Sequence, residues 1–414
     1  MAHSHHAARA PLDGAAGSPG HFPTLRWLPL LALLALGLNL RSPLTAVPPV
    51  IAEMRAALGM NEAVAGLLTS IPALCFGLMT PVAALLVARR GVNAAVTACL
   101  CGALLGLALR PWGGVAEMVA GTFLVGASLA IGNIVALVLI ARDFSDRRSM
   151  VTGLYTASLN VGTMITGALT APLATAIGWQ AALASWGWLA ILALLCSLLA
   201  ARLGSAVPVA TPVSAPGSAT TPRGALWRRP ILWLLCAGFS LHLFIYYALT
   251  AWLPTYLADV ASMSPERAGL VSSTFQVTSL AGSFAVPVLA RYIPLGRQLA
   301  VMGVLWTVTV LGLLLLPAAW PAWALTGGTA QGGAFVVLFL LIMQSARDLG
   351  DNRRLSAASQ GVGYTVSALG PIVMGFLHGR FGWTAGFACI TAASLALLFC
   401  GLLISRREPA RATS

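Results

Sequence analysis

The sequence predicts an all-α membrane protein with twelve transmembrane helices in two pseudo-symmetric six-helix bundles. Three observations support this prediction. Of the 414 residues, 58% are hydrophobic and 8% are charged, which is more apolar than a soluble domain. The apolar residues form about twelve blocks, and each is close to the roughly 20 residues that cross a bilayer. Several motifs of the first half return about 205 residues later in the second half.

The apolar blocks and the polar segments between them define the predicted domains. The stretch before residue 26 is polar, and the stretch from 203 to 226 is rich in Ala, Pro, Ser, Thr and Gly. Neither composition can bury a core. The predicted helices are 26–56, 62–88, 92–110, 114–141, 148–176, 180–201, 229–258, 265–290, 297–317, 321–346, 354–379 and 383–405. The predicted domains are a disordered cytoplasmic tail (1–25), an N-terminal bundle (26–202), a cytoplasmic linker (203–226), a C-terminal bundle (227–406) and a second cytoplasmic tail (407–414).

The distribution of arginine predicts the orientation in the membrane. All 24 basic residues are Arg, and 19 of them fall in inner segments if both termini are cytoplasmic. Cytoplasmic loops of membrane proteins carry such an excess. Because these arginines are dispersed over short loops, the net charge of +13 indicates the lipid bilayer as partner and no nucleic acid. We predict a multi-pass monomer in the plasma (inner) membrane of a bacterium. The outer segments keep Arg55, Arg110, Arg267 and Arg380.

Sequence matches at one offset indicate that the two halves are repeats. The segment ARDFSDRR begins at Ala141, and ARDLGDNRR begins 205 residues later at Ala346. The segment AGLLTS begins at Ala65, and AGLVSS begins 203 residues later at Ala268. Several independent matches at nearly one offset are difficult to obtain from a shared Leu and Ala bias. The repeats therefore predict two bundles of the same topology.

Arg41 is the one charged residue inside the apolar run that extends from Arg26 to Glu53. A guanidinium at bilayer depth costs at least about 2.5–3.5 kcal/mol, so it should face a polar cavity and not lipid. No intramembrane carboxylate is available in the predicted helices, and an unpaired buried cation is costly. We therefore predict that Arg41 binds an anion or a polarised oxygen of a substrate. The alternative is a structural arginine satisfied by helix carbonyls.

Other polar and aromatic residues fall near the predicted centre of the membrane. His242 could donate to a substrate or link transport to protons, or it could be hydrogen-bonded within the bundle. The amide side chains could bind substrate or bridge neighbouring helices. The tyrosines could form the walls of a cavity around a planar solute. The predicted substrate-binding residues are Arg41, Asn39, His242, Tyr246, Tyr247, Gln276, Gln331 and Tyr364.

Two charge clusters occupy equivalent inner loops of the two halves. The acidic residues of the predicted bundles fall near the outer rim or in the inner loops, so the sequence does not support proton coupling by a buried carboxylate. Salt bridges that open and close with a cytoplasmic gate are the predicted role of the clusters, and a solvated face is the alternative. The predicted gating residues are Arg142, Asp143, Asp146, Arg347, Asp348 and Asp351.

Several short stretches carry a family resemblance. They are Asn39-Leu40-Arg41 with Thr45, the run from Ala65 to Gly77, Ala130 to Asn133, Arg142 to Tyr155, and Tyr246 to Pro254. With these stretches and its two repeated halves, the chain resembles the major facilitator superfamily. Within that superfamily it resembles the cyanate porter family, which also includes exporters of nitroimidazole-type compounds. The resemblance implies two parallel repeats around a central site at the midplane.

The functional hypothesis is a secondary transporter that moves a small anion such as cyanate by alternating access, with Arg41 in its central site. One alternative is an exporter of neutral or nitro-aromatic compounds, and another is a membrane sensor that binds ligand without transport. The sequence contains no nucleotide-binding loop, metalloprotease motif or nucleophile elbow, which argues against an enzyme. No cofactor and no metal site are predicted.

Overall fold

The computed structural model describes residues 27–144, 147–203 and 226–408. These residues form α-helices joined by short turns, and no strand occurs among them. The predicted tail over 1–25, and almost all of the predicted linker and C-terminal tail, lie outside the described residues. The α-helices are α1 (Trp27–Thr45), α2 (Ile51–Leu58), α3 (Glu62–Leu78), α4 (Thr80–Arg90), α5 (Val92–Leu109), α6 (Val115–Asp143), α7 (Arg148–Ile177), α8 (Trp179–Ser185), α9 (Gly187–Leu203), α10 (Pro230–Ala261), α11 (Pro265–Leu289), α12 (Leu295–Leu315), α13 (Trp320–Ser345), α14 (Leu349–Ser367), α15 (Leu369–Phe381) and α16 (Trp383–Ser405).

Each of the twelve predicted spans corresponds to one of these helices or to two consecutive ones. In the described part of the chain, nine helical segments are long and apolar enough to cross a membrane, and the bent pair of α3 and α4 makes a tenth. The remaining two, α7 and α11, carry many Ser and Thr residues together with Asn160 and Gln276. Large apolar side chains such as Phe284 and Leu315 are 73% and 77% exposed, as expected of surfaces that face lipid. The predicted all-α membrane fold is confirmed.

Matching start signals open the second helix of each half. The Asn61 side chain accepts a hydrogen bond from the Val64 N–H at 2.9 Å, at the start of α3. The Ser264 hydroxyl oxygen accepts one from the Arg267 N–H at 3.3 Å, at the start of α11. Such caps satisfy a backbone donor that the end of a helix leaves unpaired. The two caps are 203 residues apart, which is the offset of the AGLLTS and AGLVSS segments that follow them.

Each half packs on the other through its second and fifth membrane-spanning helices, counted within that half. Helix α3 lies against α14 and α15, and α11 lies against α7. Gly66 and Gly269 occupy matching positions in these two contacts. A Cβ atom on Gly66 would overlap the Pro371 carbonyl oxygen, and one on Gly269 would lie 2.9 Å from the Gly167 carbonyl oxygen. Glycine at these positions therefore lets the backbones of opposite halves meet near their predicted outer ends.

The second helix of the N-terminal half changes direction toward its predicted inner end. Helix α3 and the 81–90 part of α4 are bent by 55° relative to each other. Beyond the bend, α4 packs on α5 and α6 of its own half. Within this span, α3 therefore makes the contact with the C-terminal half, and α4 packs on its own half.

Arg110, which the sequence analysis assigns to an outer segment, is buried in the structure. It begins the short 3-10 turn Arg110–Trp112 and is 1% exposed. Its Nη2 group donates a hydrogen bond to the Pro43 carbonyl oxygen of α1 at 3.5 Å. Gly121 of α6 has no side chain, so the Arg110 backbone approaches α6 closely and the guanidinium lies between helices.

Candidate substrate-binding site

A cavity lies between the two halves at the level of Arg41. The space inside the cavity, together with the open solvent that it adjoins, is about 440 Å³. Helices α1 and α3 contribute its lining from the N-terminal half, and α10 contributes from the C-terminal half. The lining residues are Arg41, Leu44, Thr45, Pro48, Thr69, Phe76, Tyr246, Tyr247, Thr250 and Ala251.

Arg41 supplies the positive charge of this cavity. It is half-buried, and no carboxylate pairs with it among the residues that the structure describes. The neighbours that interact with it electrostatically are four tyrosines, Tyr155, Tyr246, Tyr247 and Tyr364. A neutral phenol can solvate a guanidinium, but it cannot neutralise its charge. The site therefore has one positive charge that the described protein groups leave uncompensated.

Two tyrosines of α10 form one wall of the cavity. The ring centroids of Tyr246 and Tyr247 are 5.2 Å apart, and the rings are tilted by 56°. Gln276 of α11 donates a hydrogen bond from Nε2 to the Tyr246 hydroxyl oxygen at 3.3 Å. Because that oxygen accepts from Gln276, the Tyr246 O–H proton is left to donate elsewhere. The wall thus combines flat apolar faces with a hydroxyl donor.

Aromatic residues of α3, α7 and α14 also lie near Arg41. Tyr155 is 4% exposed, and its hydroxyl donates to Asn133 Oδ1 of α6 at 3.3 Å. Tyr364 is 8% exposed, and its ring centroid lies 5.6 Å from that of Phe76. Both halves therefore contribute aromatic side chains around the one guanidinium.

A second cavity of about 280 Å³ adjoins the first one. The two share Thr45, Pro48 and Thr250. The Thr45 hydroxyl lies 2.7 Å from the Thr166 hydroxyl, which ties α1 to α7 beside this space. The residues that line only the second cavity are Pro49, Thr163, Gly167, Pro254, Ser272, Ser273 and Gln276.

The structure brings five of the eight predicted binding residues together: Arg41, Tyr246 and Tyr247 line the first cavity, Gln276 lines the second, and Tyr364 interacts with Arg41. The other three lie away from the lining of both cavities. Asn39 is fully buried in α1, and neither of its side-chain polar atoms has a hydrogen-bond partner among the described residues. Gln331 lies in α13, and its Oε1 atom likewise lacks a partner among them. Direct substrate contact by Asn39, Gln331 and His242 stays a prediction.

His242 packs into the core of the C-terminal half. It is 1% exposed, and its Nδ1 atom accepts a hydrogen bond from Trp306 Nε1 at 3.4 Å. Its ring centroid lies 6.3 Å from that of Trp306 and 6.4 Å from that of Phe335. This environment matches the alternative interpretation of His242, that of a histidine hydrogen-bonded within the bundle.

Sequence reasoning did not select several residues that the structure places at the site. Tyr155 and Phe76 belong to stretches that carry the family resemblance, and this was the available signal for them. Thr45, Thr69 and Thr250 line the cavity with hydroxyl groups. Threonine is common in the helices of this chain, and Thr69 donates to the Gly66 carbonyl oxygen of the preceding helix turn at 2.9 Å, so residue type alone does not mark these residues as part of a site.

The charge cluster of the N-terminal half is held within that half. Arg142 forms an ion pair with Asp143, with Nε 2.6 Å from Oδ1. Its Nη1 group also donates to Asn93 Oδ1 of α5 at 3.3 Å. Asp146 lies outside the described residues. The role of these residues in gating stays a prediction.

The corresponding cluster of the C-terminal half is centred on Asp351. Arg229, just before α10, pairs with Asp351 at 2.7 Å and donates to the Ser345 carbonyl oxygen at 2.8 Å. The backbone N–H of Arg347 donates to Asp351 Oδ2 at 3.0 Å, and Asp348 caps α14. Burial disfavours the charged form of Asp351, but the bonds from Arg229 and Arg347 outweigh burial and lower the pKa of this carboxyl below 3.8. This cluster ties the inner ends of α10, α13 and α14 together.

The arrangement of polar groups fits binding and does not fit covalent chemistry. Around Arg41 the groups are a guanidinium, phenols, hydroxyls and an amide, which bind anions and polar solutes through hydrogen bonds. In the described part of the chain, no group of three or more His, Cys, Asp or Glu residues could hold a metal ion.

Comparison with known proteins identifies the family. The sequence model of the Major Facilitator Superfamily matches residues 30–370 of this chain. The chain is 30% identical over 379 residues to the uncharacterized transporter YycB of Bacillus subtilis (strain 168), with 90% of this chain and 91% of that protein covered. It is 28% identical to the 2-nitroimidazole transporter of Escherichia coli (strain K12), with 92% and 96% covered. It is 30% identical to the cyanate transport protein CynX of the same organism, with 89% and 96% covered.

Solved structures agree with this assignment at the level of the fold. The nucleoside transporter NupG has a TM-score of 0.75 at 14% identity and covers 91% of this chain and 99% of its own. The D-xylose-proton symporter has a TM-score of 0.72 at 13% identity, with 90% and 97% covered. The prediction of a secondary transporter, and not an enzyme, is confirmed. The chain therefore belongs to the Major Facilitator Superfamily.

Proposed function

We propose that the protein carries a small anion such as cyanate across the plasma membrane of a bacterium, with Arg41 in its central binding site. The protein works as a monomer with both termini in the cytoplasm. The observation that carries this proposal is the state of Arg41, a half-buried guanidinium in a cavity between the two halves with no carboxylate beside it among the described residues. An anion would supply the missing counter-charge.

The transport cycle in this proposal is alternating access. The close glycine contacts at Gly66 and Gly269 hold the halves together at the predicted outer ends. The cavity then opens to one side or the other as the halves rock about it. The pairs of Arg142 with Asp143 and of Arg229 with Asp351 hold the inner loops, and we propose that they rearrange when the inner gate moves.

A second candidate function is export of nitro-aromatic compounds. It is supported by the aromatic side chains that line the cavity, which are Phe76, Tyr246 and Tyr247. Flat rings stack favourably on such walls. The similarity to a 2-nitroimidazole transporter over 92% of the chain supports it as well. In this candidate, Arg41 faces a nitro oxygen.

Flux measurements in proteoliposomes test the proposal. Labelled cyanate uptake is measured with the intact protein, Arg41→Gln and Arg380→Gln, under both signs of an imposed membrane potential. The control removes an exposed arginine at the end of α15. We expect saturable flux that responds to the potential, because each charge gains about 2.3 kcal/mol per 100 mV. We expect the flux to be lost in Arg41→Gln and kept in Arg380→Gln.

Two outcomes would contradict the proposal. Cyanate flux in Arg41→Gln at the rate of the control would return Arg41 to a structural role. Flux of a neutral nitroimidazole without any cyanate flux would favour the second candidate. Size-exclusion profiles of the variants in detergent show whether each of them is folded.

A further inference from the structure

We infer that the Arg41 cavity binds its substrate in the ionised form only, as a flat monoanion with delocalised charge, and that it rejects the neutral form of the same compound. This inference rests on the proposed function and makes its substrate class specific. Under this inference, cyanate and a nitroimidazole are not competing assignments. Cyanate is the linear conjugate base of a weak acid, and a 2-nitroimidazole with a free ring N–H is a weak acid whose conjugate base is planar, so both are delocalised monoanions when ionised.

The charges around the cavity support the ionised form. The groups that face Arg41 from the neighbouring helices are phenols: Tyr155 from α7, Tyr246 and Tyr247 from α10, and Tyr364 from α14. A phenol is a neutral hydrogen-bonding group, so these tyrosines add no charge and the site keeps the charge of +1 of Arg41. A monoanion brings this charge to zero. A neutral ligand would displace water and leave the guanidinium buried without compensation, which is unfavourable.

The hydrogen-bonding groups of the cavity also favour an anion. Arg41 can only donate, and the Tyr246 hydroxyl accepts from Gln276 and so can donate its own proton into the cavity. The hydroxyls of Thr45 and Thr69 donate to helix carbonyl oxygens, so Arg41 and Tyr246 are the donors on which this argument rests. A ligand that carries several acceptor atoms and no obligatory donor matches this set. The ionised form of an azole has lost its N–H donor, whereas the neutral form keeps it.

The shape of the cavity favours a flat ion over a compact, strongly hydrated one. The walls include Phe76 and the neighbouring rings of Tyr246 and Tyr247, and Tyr364 packs on Phe76 from outside the lining. A delocalised anion loses less hydration energy on entering such a site than a compact ion of the same charge. Its flat face can also contact the rings while its edge meets the guanidinium of Arg41.

The chemistry of the two ligand types fits one site. Cyanate is the linear conjugate base of a weak acid. The nitro group of 2-nitroimidazole withdraws electrons and acidifies the ring N–H, which releases its proton to water and leaves a planar anion. No covalent bond to the protein forms. In 1-methyl-2-nitroimidazole a methyl group replaces that proton, so the compound has the same ring and nitro group but cannot ionise in this way.

The decisive experiment compares these two nitroimidazoles as ligands of the purified protein in detergent. Binding is measured by the change in tyrosine and tryptophan fluorescence from about pH 5 to pH 9, with cyanate as competitor. Below the pKa of the ligand, we expect the apparent affinity for 2-nitroimidazole to rise about tenfold per pH unit, and then to level off where the ligand is fully ionised. We expect 1-methyl-2-nitroimidazole not to bind saturably at any pH, and cyanate to displace 2-nitroimidazole.

Variants separate charge recognition from damage to the fold. Arg41→Lys keeps the positive charge, so it should keep the pH dependence at reduced affinity, whereas Arg41→Gln should lose it. The inference would be overturned if the methylated compound bound as tightly as its parent, or if the affinity for 2-nitroimidazole did not change with pH. It would also be overturned if cyanate or 2-nitroimidazole did not bind to the protein. Ionised-form binding without any flux in proteoliposomes would instead leave the inference standing and refute the proposed function.

Discussion

The first helices of the two halves occupy matching places, yet they present different chemistry to the cavity. Val47-Pro48, which follows α1, matches Leu253-Pro254 of α10 at an offset of 206 residues, and this offset pairs Arg41 with Tyr247. Both of these side chains line the same cavity. The N-terminal half therefore contributes the charge, and the C-terminal half contributes neutral aromatic hydroxyls. Because Tyr247 and not a second arginine stands at the position that matches Arg41, the two first helices bring one positive charge to the cavity, and this charge can bind a single anion.

The same match between the two first helices explains why His242 does not line the cavity. At an offset of 206 residues His242 matches Leu36, which is fully buried in the core of the N-terminal half. The side chain of His242 points toward Trp306 and Phe335 of its own half. Depth in the membrane decides how costly a polar group is, but the face of the helix decides whether that group meets the cavity or the core.

The largest effect should come from removing the charge of the N-terminal half. We expect Arg41→Gln to weaken cyanate binding about tenfold to a hundredfold, because a hydrogen bond to a charged group contributes about 1.5–3 kcal/mol. His242→Gln should change the affinity less than about twofold. Equilibrium binding of cyanate to both purified variants checks this. Equal losses of affinity in the two variants would contradict the expectation that Arg41 contacts the substrate and His242 does not.

The next largest effect concerns the glycine contacts between the halves. Gly66→Ala should lower stability by about 1–3 kcal/mol, because its Cβ atom would overlap the backbone oxygen of Pro371. Gly269→Ala should have a smaller effect, since its Cβ atom would lie 2.9 Å from the nearest atom. The thermal unfolding midpoint in detergent measures both. Gly153→Ala is the control, because no atom lies within 4 Å of a Cβ atom there.

A smaller effect should follow from disturbing the histidine of the C-terminal half. His242→Leu leaves the Trp306 Nε1 donor without its acceptor. A buried donor that loses its partner costs about 1 kcal/mol or more. We expect a lower unfolding midpoint with cyanate affinity retained. Should the variant unfold normally but bind cyanate poorly, His242 would belong to the binding site after all.

The smallest effect should be a dependence on acid pH in the inner cluster of the C-terminal half. The pKa of Asp351 is lowered in the folded protein, so its ion pair with Arg229 stabilises the fold above pH 3.8, the ordinary value. This contribution is lost as the pH falls below that value and through the folded pKa. We expect Asp351→Asn to cost about 1 kcal/mol at pH 7, since the pair is partly exposed.

Unfolding midpoints of the intact protein and Asp351→Asn, measured from pH 7 to about pH 3, check this expectation. The two curves should converge at the acid end. Asp143→Asn is the matched variant of the N-terminal half. A constant difference between the Asp351→Asn and intact curves at all pH values would mean that the Asp351 charge does not stabilise the fold.

The helices could be predicted because each of them needs only local information. Apolar blocks of bilayer length and the repeated motifs both appear in the sequence. The site could be predicted in part, because a charge such as Arg41 at bilayer depth needs a polar environment. Tyr155 and Phe76 were not selected, because an aromatic side chain is compatible with lipid, with a protein core and with the wall of a cavity.

The sequence by itself determined the class of the protein, its two repeated halves and the residue that carries the charge of the site. These follow from composition, periodicity and the cost of a cation in hydrocarbon, none of which depends on how the helices are arranged. Only the tertiary structure decided that Tyr247 joins Arg41 while His242 packs on Trp306, and that Arg110 is buried against Pro43. The reason is that the neighbours of a side chain depend on which helix faces pack together, and residues far apart in the chain set that packing.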